Sequence, residues 1–241
     1  MTATPTTPTH YDIAGQRVAM PVLVRDASAG TAMFEVDAAA AQALVPGEDF
    51  RVVESSPGRA QLVLAVIDYR DNDLGDYDEV GITVFVVPRG ADDSAAGTFI
   101  THLPVNQRFT CDAGQQIWGF PKSVEDIAVD YGDGEGRVTT TLQMDGELVL
   151  RLTLPRGGSD EMAPLAMVTY SYIDRVPHST AFSQGGTGAQ VLVGGEGVTL
   201  ELGSHPLADA LRALGLPSPP VLSTWTERMQ GRFDAPVPVD R

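Results

Sequence analysis

The sequence contains little cysteine, few basic residues and no long apolar run. Its one thiol, Cys111, cannot form a disulfide within the chain of 241 residues. No apolar run reaches the ~18 residues of a membrane-spanning helix. The Thr- and Pro-rich start also lacks the basic and apolar segments of a secretion signal. We therefore expect a soluble, cytoplasmic protein with no part in a membrane.

Positive charge is scarce, because 16 basic residues stand against 32 acidic ones and the formal net charge is −16. Nucleic acids and anionic membrane surfaces attract proteins through clustered lysine and arginine. The sequence has no such cluster, which indicates that neither nucleic acid nor a membrane surface is a partner.

Lysine is the scarcest charged residue, since Lys122 is the one lysine among those 16 basic residues. Average composition would supply about a dozen. The Ala-, Gly-, Val- and Arg-rich composition indicates a GC-rich genome in which arginine replaces lysine wherever only surface charge matters. Arginine cannot lose its proton and act as a nucleophile at ordinary pH. A lysine that survives this bias is therefore predicted to have a chemical role.

Short runs rich in β-branched and apolar residues, separated by Gly, Pro and Asp, indicate a succession of strands. The runs cover residues 18–24, 32–36, 61–69, 80–88, 97–103, 127–131, 137–144, 148–154, 166–173, 190–193, 198–202 and 221–233. Asp37 is placed to cap a short helix at 38–44, and leucines at helical spacing predict another at 206–214. Hairpin turns are predicted at 132–136 and at Asp145-Gly146, the latter of type I′.

This pattern predicts a mainly β (β-rich α+β) fold with two or three short helices. Unpaired strand edges promote aggregation, so we expect an antiparallel barrel that is closed or nearly closed. We divide the chain into a disordered tail at residues 1–12 and a single domain at 13–241. The Pro-rich link at 216–220 is not a domain boundary, because only about twenty residues follow it.

Lys122 follows a cluster of aromatic, glycine and proline residues. Trp118 and Phe120 can exclude water, and burial disfavours the charged ammonium. The sequence therefore predicts that the pKa of Lys122 is lowered, so that free amine exists near neutral pH. The alternative is that both aromatic residues belong to the core and that Lys122 extends its amine into solvent.

Two segments resemble the active-site signature of the acetoacetate decarboxylase superfamily. They are Trp118-Gly119-Phe120-Pro121-Lys122, preceded by Gly114, and Gly75-Asp76-Tyr77-Asp78-Glu79-Val80-Gly81, with a looser third match at 204–207. The resemblance implies that Lys122 forms a Schiff base and that Glu79 supplies an active-site carboxylate. It also implies a closed barrel or cone of the acetoacetate decarboxylase type, a small keto-acid substrate, no cofactor and a homo-oligomer.

The candidate site contains seven residues. Lys122 and Glu79 are the catalytic candidates, and Tyr77, Gln116, Trp118, Phe120 and Ser123 are the substrate-binding candidates. No metal is expected, because no two of the four histidines have the spacing of metal ligands. The acidic residues at 71–79 also lack the residue order of an EF-hand calcium loop.

Three positions differ from the family pattern. Ser123 occupies the position of a second lysine that lowers the nucleophile's pKa in the decarboxylase. Gln115 and Gln116 occupy positions that are often Arg and Glu, and residues 33–35 lack the family's substrate-binding arginine. We therefore expect Lys122 to depend on desolvation. We also expect either a different residue to bind the substrate carboxylate or a different substrate.

Three functions remain open from the sequence. The first is a lyase that decarboxylates a small β-keto acid, such as acetoacetate, through an imine and an enamine. The second is an aldolase-dehydratase that condenses a keto acid such as pyruvate with an aldehyde through the same lysine. The third is an inactive member of the family that binds a ligand without turnover.

Overall fold

The computed structural model describes residues 9–132, 134 and 136–239. Residues 1–8 of the predicted tail therefore lie outside the described residues. The predicted boundary at residue 12 is wrong, because His10–Ile13 forms a strand that pairs with Gln16–Ala19. Pairing satisfies backbone hydrogen-bonding groups of this segment, and burial of Ile13 in an apolar cluster attaches it to the domain.

Strands dominate the chain. In chain order they are β1 (His10–Ile13), β2 (Gln16–Ala19), β3 (Val22–Asp37), β4 (Phe50–Val52), β5 (Glu54–Ser56), β6 (Arg59–Asn72), β7 (Tyr77–Pro88), β8 (Gly97–Val105), β9 (Lys122–Val124), β10 (Asp126–Asp130), β11 (Arg137–Met144), β12 (Glu147–Pro155), β13 (Asp160–Ile173), β14 (Val176–Val193), β15 (Thr199–Leu202), β16 (Leu222–Phe233) and β17 (Val237–Pro238). The α-helices are α1 (Ala38–Ala43), α2 (Arg108–Trp118) and α3 (Pro206–Ala213), and Asp93–Ala95 forms one 3₁₀ turn. Within the described part of the chain, no helix is long and apolar enough to cross a membrane.

Seven strands form a closed barrel, as predicted. Their order is β7, β6, β3, β16, β14, β13 and β8, and pairing of β8 with β7 closes the ring. Six of the seven pairings in the ring are antiparallel, as predicted, and the seventh differs, because β8 and β13 run parallel. A ring with an odd number of strands cannot alternate in direction all the way round, so at least one pair must be parallel.

Two apolar cores lie on opposite faces of β6 and β7. On β6, Leu62 and Leu64 belong to the first core, whereas Tyr69 belongs to the second. Successive side chains of a strand point to opposite faces, so the change of parity places the two cores on different sides of the strand. The four-stranded sheet β10-β11-β12-β15 and helix α3 contribute to the first core. The second core includes α2 and contains the candidate site.

Most of the predicted strands exist, and two of the predicted runs differ from the structure. The run at 18–24 is divided between β2 and β3, because Pro21 lies between them and cannot donate a backbone hydrogen bond. The run at 190–193 is only the end of β14, whose first part contains many Gly, Ser and Thr residues that conceal its strand character.

Helix α2 was not predicted. The Asp145-Gly146 turn is confirmed, since both residues have the positive φ angles that a type I′ turn requires, 52° and 77°.

Candidate active site

Lys122 begins β9, directly after the turn that ends α2. Gly119 ends the helix with φ of 66°, and a Cβ atom there would lie 2.2 Å from the carbonyl oxygen of Tyr172. Glycine alone tolerates both the left-handed angle and this close approach. The turn directs the chain into a parallel pairing of β9 with β8, where Lys122 lies beside Leu103.

Glu79 approaches the lysine from β7, which also pairs with β8. It lies on β7 beside Val105 of β8, so the two site residues occupy strands on either side of one strand. The Lys122 Nζ atom lies 2.8 Å from Glu79 Oε2, with only 4% and 9% of the two side chains exposed. Lys122 Nζ also donates a 3.0 Å hydrogen bond to Thr110 Oγ1 on α2. The amine is therefore buried and held by two partners.

Two stacked tyrosines form one wall beside this ion pair. Tyr69 and Tyr77 are cross-strand neighbours on β6 and β7, and their ring centroids lie 4.5 Å apart. The Tyr77 ring centroid is 4.8 Å from Lys122 Nζ, and the Tyr69 hydroxyl donates to Glu79 Oε1 at 3.4 Å. Burial raises the pKa of both tyrosines above the usual value. They are therefore neutral phenols that can donate hydrogen bonds.

The predicted lowering of the Lys122 pKa is wrong in sign. Burial does favour the neutral amine and lowers the pKa, as expected from the sequence. The negative charge of Glu79 and the contacts with Glu79 and Tyr77 act in the opposite direction and outweigh burial, so the pKa is raised. In the free protein Lys122 is therefore an ammonium ion, and a nucleophilic amine requires transfer of its proton to a neighbouring group.

A small cavity of about 60 Å³ opens beside the Lys122 amine. Its lining is mostly apolar and consists of Val22, Val24, Tyr69, Asn72, Leu74, Tyr77, Glu79, Ile100, Leu103, Trp118, Phe120, Lys122 and Phe233. A water molecule needs about 10–15 Å³ by the same measure, so the space suits a molecule of a few heavy atoms. Of the described residues that line the cavity, Lys122 is the one with a cationic side chain.

Five of the seven predicted site residues meet at this cavity: Lys122, Glu79, Tyr77, Trp118 and Phe120. Gln116 is a correction, because it lies on the exposed face of α2. Ser123 is another, because it follows Lys122 in β9 and its side chain therefore points to the opposite face of the strand. Neither residue lines the cavity.

Sequence reasoning missed Tyr69, Thr110 and the wall residues Val22, Val24, Asn72, Leu74, Ile100, Leu103 and Phe233. Recognition of α2 would have identified Thr110. Residues 110, 114 and 118 recur at intervals of four and therefore share one face of a helix. That face carries Thr110, Gly114 and Trp118, all of which adjoin Lys122 or its cavity.

We predict that Gly114→Ala slows chemistry at Lys122 without unfolding the protein. A Cβ atom at this position would lie 2.5 Å from Lys122 Cδ, so the lysine side chain must shift. Alanine within a helix otherwise stabilises by about 0.5–1 kcal/mol relative to glycine, which offsets part of the strain. A displacement of about 1 Å can cost up to about 100-fold in rate. We expect a reduction of tenfold or more in the rate at which Lys122 forms an imine, with a melting temperature close to that of the parent.

The control for this prediction is Gly81→Ala. Its Cβ atom would lie at an ordinary contact distance of 3.5 Å from Leu103 Cδ1. Equal rates for the two variants, measured by borohydride trapping of the imine, would contradict the packing argument.

A buried lysine paired with glutamate beside an apolar cavity defines the class of the protein as a closed seven-stranded barrel with a buried amine at its candidate site. The family model described as acetoacetate decarboxylase (ADC) matches residues 3–235. The chain therefore belongs to the acetoacetate decarboxylase family. No curated protein sequence matches it.

Several solved structures share the fold of this chain. Acetoacetate decarboxylase from Legionella pneumophila has 19% identity and a TM-score of 0.67, and the match covers 100% of this chain and 92% of that one. An acetoacetate decarboxylase-like enzyme from Sphingomonas wittichii RW1 has 17% identity and a TM-score of 0.60, over 98% and 100% of the two chains. The enduracididine biosynthesis enzyme MppR, complexed with pyruvate, has 16% identity and a TM-score of 0.60, over 99% and 93%.

Proposed function

We propose that the protein is a Schiff-base lyase that decarboxylates a small β-keto acid such as acetoacetate. The observation that carries the proposal is the buried pair of Lys122 and Glu79, joined at 2.8 Å beside a small apolar cavity. A buried amine with an adjacent proton acceptor is the arrangement that imine formation requires. The family to which the chain belongs supports the same chemistry.

The reaction begins with a proton transfer, because Lys122 is protonated in the free protein. Glu79 Oε2 takes the proton, which neutralises both members of the pair. The free amine adds to the ketone carbon, and the resulting carbinolamine loses water when Glu79 returns the proton to the departing hydroxyl. The product is a cationic iminium that again faces a Glu79 carboxylate.

Loss of CO₂ follows from the electron demand of the iminium. The electrons of the bond between the α-carbon and the carboxylate move toward nitrogen, which gives CO₂ and a neutral enamine. A proton then adds to the enamine carbon, and the buried Tyr77 hydroxyl is the donor that we assign to this step. Water hydrolyses the new iminium, which releases the ketone and restores the Lys122 ammonium ion. Tyr77 regains its proton from solvent, so each turnover consumes one proton.

The charge balance of the cavity favours decarboxylation. Glu79 already compensates the one cationic side chain among the described lining residues. A substrate carboxylate would therefore enter an apolar space without a cationic partner, which is costly. Departure as neutral CO₂ removes that charge, whereas an aldol product of pyruvate would retain it.

An aldolase-dehydratase is the second candidate. MppR, which shares the fold, has been described both with pyruvate and with the condensation product of pyruvate and imidazole 4-carboxaldehyde. The neutral hydroxyls of Tyr69 and Tyr77 are donors that could hold a retained carboxylate in this chain. In this reaction the enamine attacks an aldehyde carbon, and the adduct then eliminates water.

Borohydride trapping separates the two reactions. With acetoacetate we expect release of CO₂ and an isopropyl group on Lys122, because the imine of the decarboxylated product is reduced. With pyruvate and an aldehyde, an aldol-dehydration product without CO₂ would indicate the second candidate. Lys122 is the one lysine in the sequence, so peptide mass mapping assigns the adduct without ambiguity. The absence of any adduct with either keto acid would refute both reactions.

A further inference from the structure

The chain contains two asparagines, Asn72 and Asn106, and both hold backbone beside the Lys122 site. Asn72 donates to the Gly75 carbonyl at 2.5 Å and accepts from the Leu74 N–H at 2.7 Å. Asn106 accepts from the Asp78 N–H and donates to Asp78 Oδ2, both at 2.8 Å. Each amide thus uses its donor and its acceptor at once, which aspartate cannot do when ionised.

We propose that Asp78 and Asn106 form a clasp of positioning residues that sets the geometry of Glu79 and Lys122. A third hydrogen bond, from the Asn106 N–H to the Asp78 carbonyl at 3.2 Å, completes the clasp. The proposal rests on the proposed function of the site. It assigns a role to two residues that do not line the cavity.

On one side, the clasp fixes β7. Asp78 lies between Tyr77 and Glu79, whose side chains leave the opposite face of the strand. Holding the Asp78 backbone and carboxylate together fixes the direction in which both neighbours point. The Glu79 carboxylate therefore depends on the clasp for its position relative to the amine.

On the other side, the clasp fixes the start of α2. Asn106 precedes Gln107, whose side chain caps the helix by accepting from the Thr110 N–H at 2.7 Å. Gln107 also donates to the Leu74 carbonyl at 3.2 Å, next to the turn that Asn72 closes. Thr110 in turn accepts from Lys122 Nζ. Through this path, the Asn106 contact influences the positions of Glu79 and Thr110, which both contact the Lys122 amine.

Stability does not account for a carboxylate at position 78. Asp78 lies directly across from Asp68 of β6, and like charges in that arrangement are destabilising. Burial, Asp68 and Asp76 raise the pKa of Asp78 to about 6, although the Asn106 hydrogen bond opposes them. Asp68 itself contacts Arg70 and Tyr131. The carboxyl oxygen is thus retained as an acceptor for Asn106 in spite of its charged surroundings.

Comparison of Asp78→Ala with Asp78→Asn tests the clasp. Alanine removes the acceptor for Asn106, whereas asparagine retains an oxygen in its place. With alanine we expect imine formation with acetoacetate to slow by tenfold or more. With asparagine we expect the rate to stay within about twofold of that of Asp76→Asn, a matched control that removes an exposed charge two residues earlier in the chain.

A second readout reports the position of Glu79 without any substrate. Cyanate carbamylates neutral amines, and Lys122 is the one lysine in the sequence. If the clasp opens, Glu79 moves away and burial dominates, so the midpoint pH for carbamylation of Lys122 should fall by roughly one unit in Asp78→Ala. A purely structural defect would lower the melting temperature and leave this midpoint unchanged.

Asn106→Asp is expected to behave like Asp78→Ala, because two opposed carboxylates replace a donor and an acceptor. If Asp78→Ala does not fold, Asn106→Ala makes the same comparison from the other partner. Parent-like rates and midpoints in Asp78→Ala or Asn106→Asp would overturn the proposal, and so would equal losses in Asp78→Asn and Asp78→Ala. If the parent forms no imine with any keto acid, the proposed function fails, whereas the cyanate midpoint still decides the clasp.

Discussion

Replacing Lys122 with arginine is expected to abolish imine formation and to lower turnover by about 10⁴-fold or more, which corresponds to about 5 kcal/mol of transition-state stabilisation. Arginine preserves a cation opposite Glu79, so the buried carboxylate remains compensated. Its guanidinium stays protonated and cannot attack a carbonyl carbon. The measurements are borohydride trapping by intact mass and CO₂ release from acetoacetate.

The fold control for this variant is the double substitution Lys122→Met and Glu79→Gln. Removing one member of a buried ion pair leaves an uncompensated charge and costs about 3–5 kcal/mol, whereas removing both is often neutral. The double variant should therefore melt near the parent temperature while lacking activity. Turnover by Lys122→Arg within tenfold of the parent would show that the lysine is not the nucleophile. Unchanged ligand binding and biological role in Lys122→Arg would instead favour a binding protein.

The sequence was sufficient to predict the central pair of the site. Lys122 is indicated by composition and Glu79 by the family resemblance of its segment, and both lie on strands that pair with β8. Their contact could not be predicted from strand signals alone, because those signals do not specify which strands adjoin. A closed barrel could be predicted from the number of strands in the sequence. The parallel pair could not, because it depends on how many of those strands enter the ring.

Helix α2 shows why other site residues were missed. Its sequence contains threonine, cysteine, tryptophan and an interior glycine, which have modest or low helix propensity. Tertiary packing overrides that propensity, since Gly114 leaves the space that the Lys122 side chain occupies. Glycine at position 114 makes room for a residue of β9 but lowers the helix propensity of its own segment, so local propensity does not predict the helix.

The sign of the Lys122 pKa shift could not be predicted because it depends on a balance. The sequence indicated burial, and burial does lower the pKa. It could not supply the distance to Glu79, and at 2.8 Å the attraction outweighs desolvation. The raised pKa also changes the chemistry, because the nucleophile now requires a proton acceptor in contact with it.

Glu79→Gln is expected to lower turnover by about 10²–10⁴-fold, the range that loss of a general acid/base group produces. Glutamine preserves the size of the side chain and removes the proton acceptor and the negative charge. Without that charge, burial is no longer outweighed, so the pKa of Lys122 should fall. The midpoint of the pH profile for imine formation should therefore move to lower pH, even though turnover is slower at every pH.

This combination distinguishes a charged partner of the Lys122 amine from a residue that only packs beside it. A purely structural role for Glu79 would reduce turnover without moving the midpoint toward lower pH. Glu48→Gln is the matched control, because it makes the same chemical change at an exposed loop position and should leave both quantities unchanged. A midpoint that stays fixed or rises in Glu79→Gln would mean that Glu79 does not hold the Lys122 ammonium in its charged form. Proton transfer within the pair could then not start the reaction.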